Sequence, residues 1–543
     1  IEVAAAGAEF VGLVNSLEHY RNQLTAQEVR AYLGKIAFGG TPELVNIGET
    51  QGLDALVEAL LNTNASAQTL ANAHFWATRR KAGPTDNPHS RWTLRATQFL
   101  WQYLLLYSEN PFHERMALLW HTQFATNLAD IGLEAVNNAD AMPAHVLLLH
   151  NGALGNLIDD LVNPLLTDLA MNFWLNNKDN HRNRPNQNFA RELMELFLLG
   201  ARDPITGLPN YSESSIPAAT AFVSGHENRT GLPWRIVYNP LLHDESPYRV
   251  FEETAGAYVQ NGQFTPSSFV EHIAFNHPGS ARFIAERVYA QLVNPMATEE
   301  VVATLAGELR DNSFEIKPML RRLLTASANF VSAENQVCVS SPTNSLIRFV
   351  RALQIPVPSM AEVDPRDDAS FPIELARFED RILNSSILSL MTAGQAPGLP
   401  PTVFAWEGDC GLNRDMNKAQ GEAWLATQLL LERHRQIVSL MNNIEFYYTA
   451  NGSSAWVRLV PEAMRNRANP SPEELRSLAQ HLMKNVLGLT LSPAKEAQLL
   501  EAVRSYLTTQ RTYLPNGTYT DRPYTLDLTD NSVVGLKIPG ALQ

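Results

Sequence analysis

The chain has 543 residues, 45% hydrophobic and 18% charged, and carries a formal net charge of −14 at pH 7. This composition is ordinary for a globular protein, ample for a buried core, and excludes wholesale disorder. The densest basic run, Arg79-Arg80-Lys81, reads as a solvated face, far from the concentrated cationic surface that nucleic acid or an anionic membrane demands, and no stretch reaches the roughly 18 uncharged apolar residues of a transmembrane helix.

In chain order, helical periodicity dominates. Apolar residues at three- and four-residue spacing predict helices over 43–61, 91–106, 111–124, 189–199, 267–289 and 318–325, then over 421–448, 472–487 and 493–508. Thr41-Pro42, Ser471-Pro472 and Ser492-Pro493 each place a capping hydroxyl before a proline at the first helical position. Gly200 stands where a C-cap glycine ends the 189–199 helix. Strand signals are sparse: 236–238 and the tail from 512 to 538 are the places for short strands or a hairpin. Two long loops stand out, 356–372, acidic and proline-rich, and 392–415, rich in Gly and Pro; a third irregular stretch, 176–188, is dense in Asn, Asp, Arg and His. The fold class is therefore all-α, with long irregular loops and a small β-containing C-terminal tail.

Only Cys338 and Cys410 occur. In an exported protein they would form one disulfide, closing a loop of about 72 residues worth roughly 4 kcal/mol on the chain-entropy model; otherwise they are buried thiols. The start at Ile1 fits a processed, exported chain, and fits a trimmed one equally well.

The helix over 189–199 carries the most chemistry. At about 100° per residue, Asn188, Arg191, Glu192 and Glu195 share one sector, with Leu198 and Leu199 beside it. A helix apolar on nearly all sides is usually buried, so the sector is expected to be buried too, with Arg191, which has Glu195 at i,i+4, paired to at least one carboxylate. One reading is a structural network. The other is a site in which Glu192 and Glu195 bind a divalent metal or act as acid and base, with His121, beside Trp120 and Phe124, as third member. A His in such an apolar helix also reads as a satisfied core residue. No Glu-x-x-His pair is present, which disfavours a ferritin-like di-iron site; His145, His150 and His181 are the other nitrogen candidates. Phe75-Trp76 and the aromatics of 99–107 read as core, with a sugar-binding cleft as the alternative.

The segment Arg184-Pro-Asn-Gln-Asn-Phe-Ala-Arg-Glu-Leu-Met-Glu-Leu-Phe-Leu-Leu-Gly200 resembles the signature helix of the domain-of-unknown-function-1800 family. Ala37-Phe-Gly-Gly-Thr-Pro42, Trp120-His121 with Phe124, Ala153-Leu-Gly-Asn156, His277-Pro278 with Ala281-Arg-Phe-Ile284, and Pro400-Pro-Thr-Val-Phe404 with Trp406 resemble further family segments in family order. The chain departs from the pattern at Gln123, at Ser224-Gly225-His226 and at Ala405-Trp406-Glu407. The resemblance spans roughly residues 28–505, which divides the chain into an extension (1–27), a helical domain (28–505, sub-boundary near 355–372) and a tail (506–543). It implies an exported bacterial protein, periplasmic or at the cell surface, often encoded beside a domain-of-unknown-function-1501 protein with an alkaline-phosphatase-like fold; it implies no reaction. Two functions remain open. One is an assembly component binding that partner or a second copy of itself, with Asn186, Asn188, Arg191 and Trp406 as binding residues. The other is a metal-assisted enzyme acting on an extracellular polymer or small molecule through His121, Glu192 and Glu195.

Overall fold

The structure, a computed structural model, describes residues 15–79, 90–131, 141–229, 234–251, 258–259, 264–295, 297–330, 340–403, 406, 435–436, 439–445, 447–448, 459–486, 493–513, 519–529 and 537–538. The fold is all-α, with 62% of the described residues helical. The strands described form three two-stranded antiparallel sheets. One is the C-terminal hairpin, Thr509–Tyr513 against Tyr519–Pro523; another pairs His226–Arg229 with Arg235–Tyr238. The third, Arg249–Val250 with Tyr258–Val259, is too short to leave a pattern in the sequence.

Where periodicity ran on, the chain breaks its helices at specific residues. The stretch 43–61 is two helices, Pro42–Thr50 and Leu53–Asn62. Between them Gly52 takes φ +95°, and an added Cβ there would meet the Asn22 side chain at 2.6 Å. The stretch 267–289 is likewise Pro266–Asn276 and Pro278–Leu292. His277 is extended at φ −86°, ψ 122° and caps the second helix by accepting from Gly279 N, as the residue before proline is pushed out of the helical region. The helices Ser90–Tyr107, Pro111–Gln123, Ile316–Thr325 and Pro493–Thr508 lie where expected. The predicted 421–448 helix falls largely outside the described residues, as do Cys338 and Cys410.

Two hydrophobic cores hold the chain together. One gathers the N-terminal helices, the signature helix and the segments to residue 328. The other joins 73–146 to the C-terminal segments from 346 onward. The Pro111–Gln123 helix is buried at all thirteen positions and feeds both, sending Phe112, Met116 and Trp120 to the first and Leu118 to the second. Phe75, Trp76 and Phe99 pack with the second core, as the core reading of those aromatics expects. Arg79 is not on a solvated face: it is 4% exposed, its Nε donates to Glu379 at 3.0 Å and its Nη1 to Asp368 and the Pro365 carbonyl, and its guanidinium lies 3.7 Å from the Phe371 ring centre. It thereby clamps the irregular 356–372 loop to the Ala67–Thr78 helix.

Candidate functional site

The signature segment starts in an asparagine knot. Asn180 Nδ2 donates to the Thr220 carbonyl and Asn180 Oδ1 accepts from Asn186 N; Asn186 Oδ1 in turn accepts from Asn188 N. Short amide side chains bond the backbone of turns in this way. One α-turn, Asn188–Glu192, is followed by a π-helical stretch, Leu193–Leu198. Gly200, at φ +77°, closes it by donating to the Met194 carbonyl. A π-turn carries more residues per turn than an α-turn, so it rotates Leu198 and Leu199 into the core and opens the polar sector. Asn188 is exposed, and Arg191, Glu192 and Glu195 are half-buried, in contrast to the burial expected of the sector. Arg191 reaches Glu213, not Glu195, with Nη1 at 2.7 Å and Nη2 at 3.0 Å. The segment carrying Glu213 returns along the helix. Its Asn210 Nδ2 donates to the Leu199 carbonyl, and the Tyr211 phenol is pushed up by burial and by the Glu195 charge.

His121 lies elsewhere, fully buried in an aromatic box. Its ring stacks on Trp406 (centroids 5.2 Å apart, 28°) and meets Trp101 edge-on at 4.7 Å and His145 at 6.3 Å. Neither carboxylate of the signature helix is among these contacts. His145 Nδ1 bonds Asp168 at 2.9 Å, and the same Asp168 oxygen caps the Leu169–Trp174 helix by accepting from Met171 N. Both ring nitrogens of His121 and Nε2 of His145 are buried without a hydrogen-bond partner among the described residues. Burial, reinforced by His145, drives His121 down to about 3, a drop only partly opposed by the Thr126 carbonyl. Trp406 and His121 are thus brought together, while Asn186, Asn188, Arg191, Glu192 and Glu195 form a separate surface. Among the described residues no group of three or more His, Cys, Asp or Glu side chains is placed to hold a metal ion.

A second buried polar group shares the His121 helix. Glu114 lies seven residues before His121, on the same helical face. It is fully buried and accepts from His150 Nδ1 at 3.2 Å; His150 stacks on His113 with centroids 4.6 Å apart, and its carbonyl bonds His113 Nε2 at 2.6 Å. Burial alone would raise Glu114, but His150 overrides it and brings the carboxyl down. Glu114, His113 and Asp168 were missed as members of polar groups. The i,i+7 relation of Glu114 and His121 was the available signal; the pairing of Asp168 with His145 left none. At the departure Gln123, the amide donates to the Leu196 and Phe197 carbonyls inside the π-stretch. At Ser224-Gly225-His226, Ser224 Oγ donates to the Ala221 carbonyl at 2.6 Å and accepts from Asp244 N at 2.8 Å. That hydroxyl braces a turn, and Gly225, at φ +96° with His243 Cβ 3.0 Å from where a side chain would start, lets the turn close.

Comparison with curated proteins and with solved structures finds no match to the chain. A family model described as "Protein of unknown function (DUF1800)" matches residues 31–521, nearly the whole chain. The signature helix, the Phe-Gly-Gly-Thr-Pro turn and the Trp120-His121 box all lie inside that span, and the chain belongs to this family.

Proposed function

We propose that the protein is an exported assembly component, periplasmic or at the cell surface, which docks a partner chain through the signature surface. The observation that carries this reading is the loop following the signature helix. Leu208 is 66% exposed and Ile205 36%, yet their loop is braced throughout. Asp203 accepts from the backbone of Ile205 and Thr206 and from Arg282 Nε at 2.6 Å, and Arg202 Nη1 donates to the Gly207 carbonyl. Arg282 also grips Glu299. Large apolar side chains held in place outside the core lose little freedom on binding, so preorganisation favours association. The loop continues directly from the signature helix, whose Asn188, Arg191, Glu192 and Glu195, with Glu213, would supply the polar part of the interface.

The partner that the family relationship brings forward is a chain of the domain-of-unknown-function-1501 family, and a second copy of this chain is the competing occupant. Co-expression with the neighbouring partner, followed by size-exclusion chromatography with mass determination, tests the reading. A mixed complex is expected from the wild type and its loss from Leu208→Asp, with unchanged melting of the isolated variant. A wild type that stays apart from the partner, or a complex indifferent to Leu208→Asp, refutes docking through this surface.

A further inference from the structure

A cleft of about 380 Å³ opens where four helices meet, among them Pro42–Thr50, remote in sequence from the signature helix. The Ala26–Ile36 helix lends it Arg30, the Pro342–Ala352 helix Arg348 and Arg351, and the Pro472–His481 helix its last residue, His481. The Gly39-Gly40 turn forms one edge, and Glu49 is the acid among the described lining residues. Arg348 and Arg351 stand three apart and so share a helix face, as do Arg30 and Gly34, four apart. A Cβ on Gly34 would lie 2.6 Å from Arg348 Cζ, so the guanidinium rests directly on the glycine. Gly in a helix interior is a conformational liability, and here its lack of a side chain makes the seat. Arg351 is fixed differently, donating to the Leu105 and Ser108 carbonyls at 3.0 and 2.8 Å. Burial lowers both Arg348 and Arg351 to about 10, leaving them charged at neutral pH. In a chain of net charge −14, Arg30 and Arg348 bring basic side chains from two helices to one concave space, and Arg351 lines it with its guanidinium held by the two carbonyls.

We propose that this cleft binds a small phosphate-bearing anion, either inorganic phosphate or the phosphate of a small ester. The planar guanidinium fork matches pairs of phosphate oxygens. Arg30 and Arg348 enter from different helices, so each can take a different pair, which a tetrahedral anion offers and a planar carboxylate does not. The volume falls at the small end of small-molecule sites, with room for more than a bare ion.

Calorimetry and thermal melts of the full chain, titrated with sodium phosphate or glucose 6-phosphate at fixed ionic strength in chloride, test the site. Saturable binding to one site is expected. Arg30→Gln should weaken it about tenfold or more, the scale of one lost charge-assisted contact. Gly34→Ala should weaken it by displacing Arg348, and Glu49→Gln should tighten it by removing the competing carboxylate. A preference for glucose 6-phosphate assigns the remaining volume to the ester; equal affinities assign an inorganic anion, and either supports the site. Should Gly34→Ala fail to fold, Arg30→Gln alone decides. Absence of saturable binding, or wild-type affinity in the folded Arg30→Gln variant, overturns the proposal.

Discussion

His121 shows most directly what a single residue does here. Its ring is held neutral, with burial and then His145 pushing it from the usual 6.5 down to about 3. The unfolded chain takes up a proton near pH 6.5 that the folded chain refuses. Stability is therefore lost as pH falls from about 6.5 towards 3, by at most about 1.4 kcal/mol for each pH unit. His226 and His277, each lowered to about 4 by burial, act in the same direction. His150 opposes them, because Glu114 raises it despite its burial. Urea unfolding at pH 7, 5.5 and 4.5 checks this: His121→Phe should lose less stability on acidification than the wild type, and parallel losses would contradict the assignment. An apolar ring costs little at pH 7, since neither ring nitrogen of His121 meets hydrogen-bond geometry among the described residues and only the approach of the Thr126 carbonyl is given up. The sequence marked His121 as a core histidine or a ligand, but its stacking on Trp406, 285 positions away, follows no local period. Only the tertiary fold selects that neighbour.

At the scale of elements, caps and glycines carry the information that periodicity lacks. Asn110 caps the fully buried Pro111–Gln123 helix: its Oδ1 accepts from Phe112 N and His113 N, while its Nδ2 donates to the Leu60 and Thr63 carbonyls. Asn110→Ala strands several buried groups at once and should cost about 2–4 kcal/mol, above the usual cap; a melt within about 0.5 kcal/mol of wild type would contradict this. Gly52→Ala should cost about 1–3 kcal/mol, from left-handed strain and from the clash with Asn22, again read by unfolding. Helix type was legible wherever apolar spacing was long. Less legible were the breaks at Gly52 and His277-Pro278 and the π-stretch Leu193–Leu198. A wheel turning 100° per residue assumes the α period, and the π-turn invalidates it from Leu193 on, at Glu195 and at Leu198 and Leu199, which were expected to close the sector of Glu192 and Glu195. Fold class survived such local errors because it rests on many helices; the site rested on one.

For the molecule as a whole, the cohesion of distant segments depends on buried polar clamps as well as on apolar cores. Arg79 and Glu379 are each 3% exposed in their side chains. Removing the guanidinium withdraws a buried positive charge from the buried Glu379 carboxylate, at up to about 3–5 kcal/mol. Arg79→Ala should lower the melting temperature and also speed proteolytic cleavage within 356–372, the loop that Arg79 holds; cleavage at the wild-type rate would separate the clamp from loop order. The charge, hydropathy and helical spacing of the whole chain were sufficient for an all-α architecture without a membrane-spanning helix, and the described residues contain no helix long and apolar enough to cross a membrane. The cationic cleft was invisible at this scale, because Arg30, Arg348 and His481 become neighbours only after more than 300 residues have folded back.

That folding back also sets a clock. Tyr32 donates through its hydroxyl to the Leu324 carbonyl, Tyr20 N to the Thr325 carbonyl, and Ser327 N to the Glu18 carbonyl. The first described helix is thus sealed by segments nearly 300 residues downstream. At ribosomal speeds of about 5–20 residues per second, the N-terminal helix waits roughly 15–60 s for its partner to be synthesised. Throughout that interval Val29, Tyr32, Leu33 and Ile36, which finish fully buried, have no completed core to enter. A chain that stops short of residue 324 therefore leaves this apolar helix face uncovered, and such truncated products are expected to aggregate.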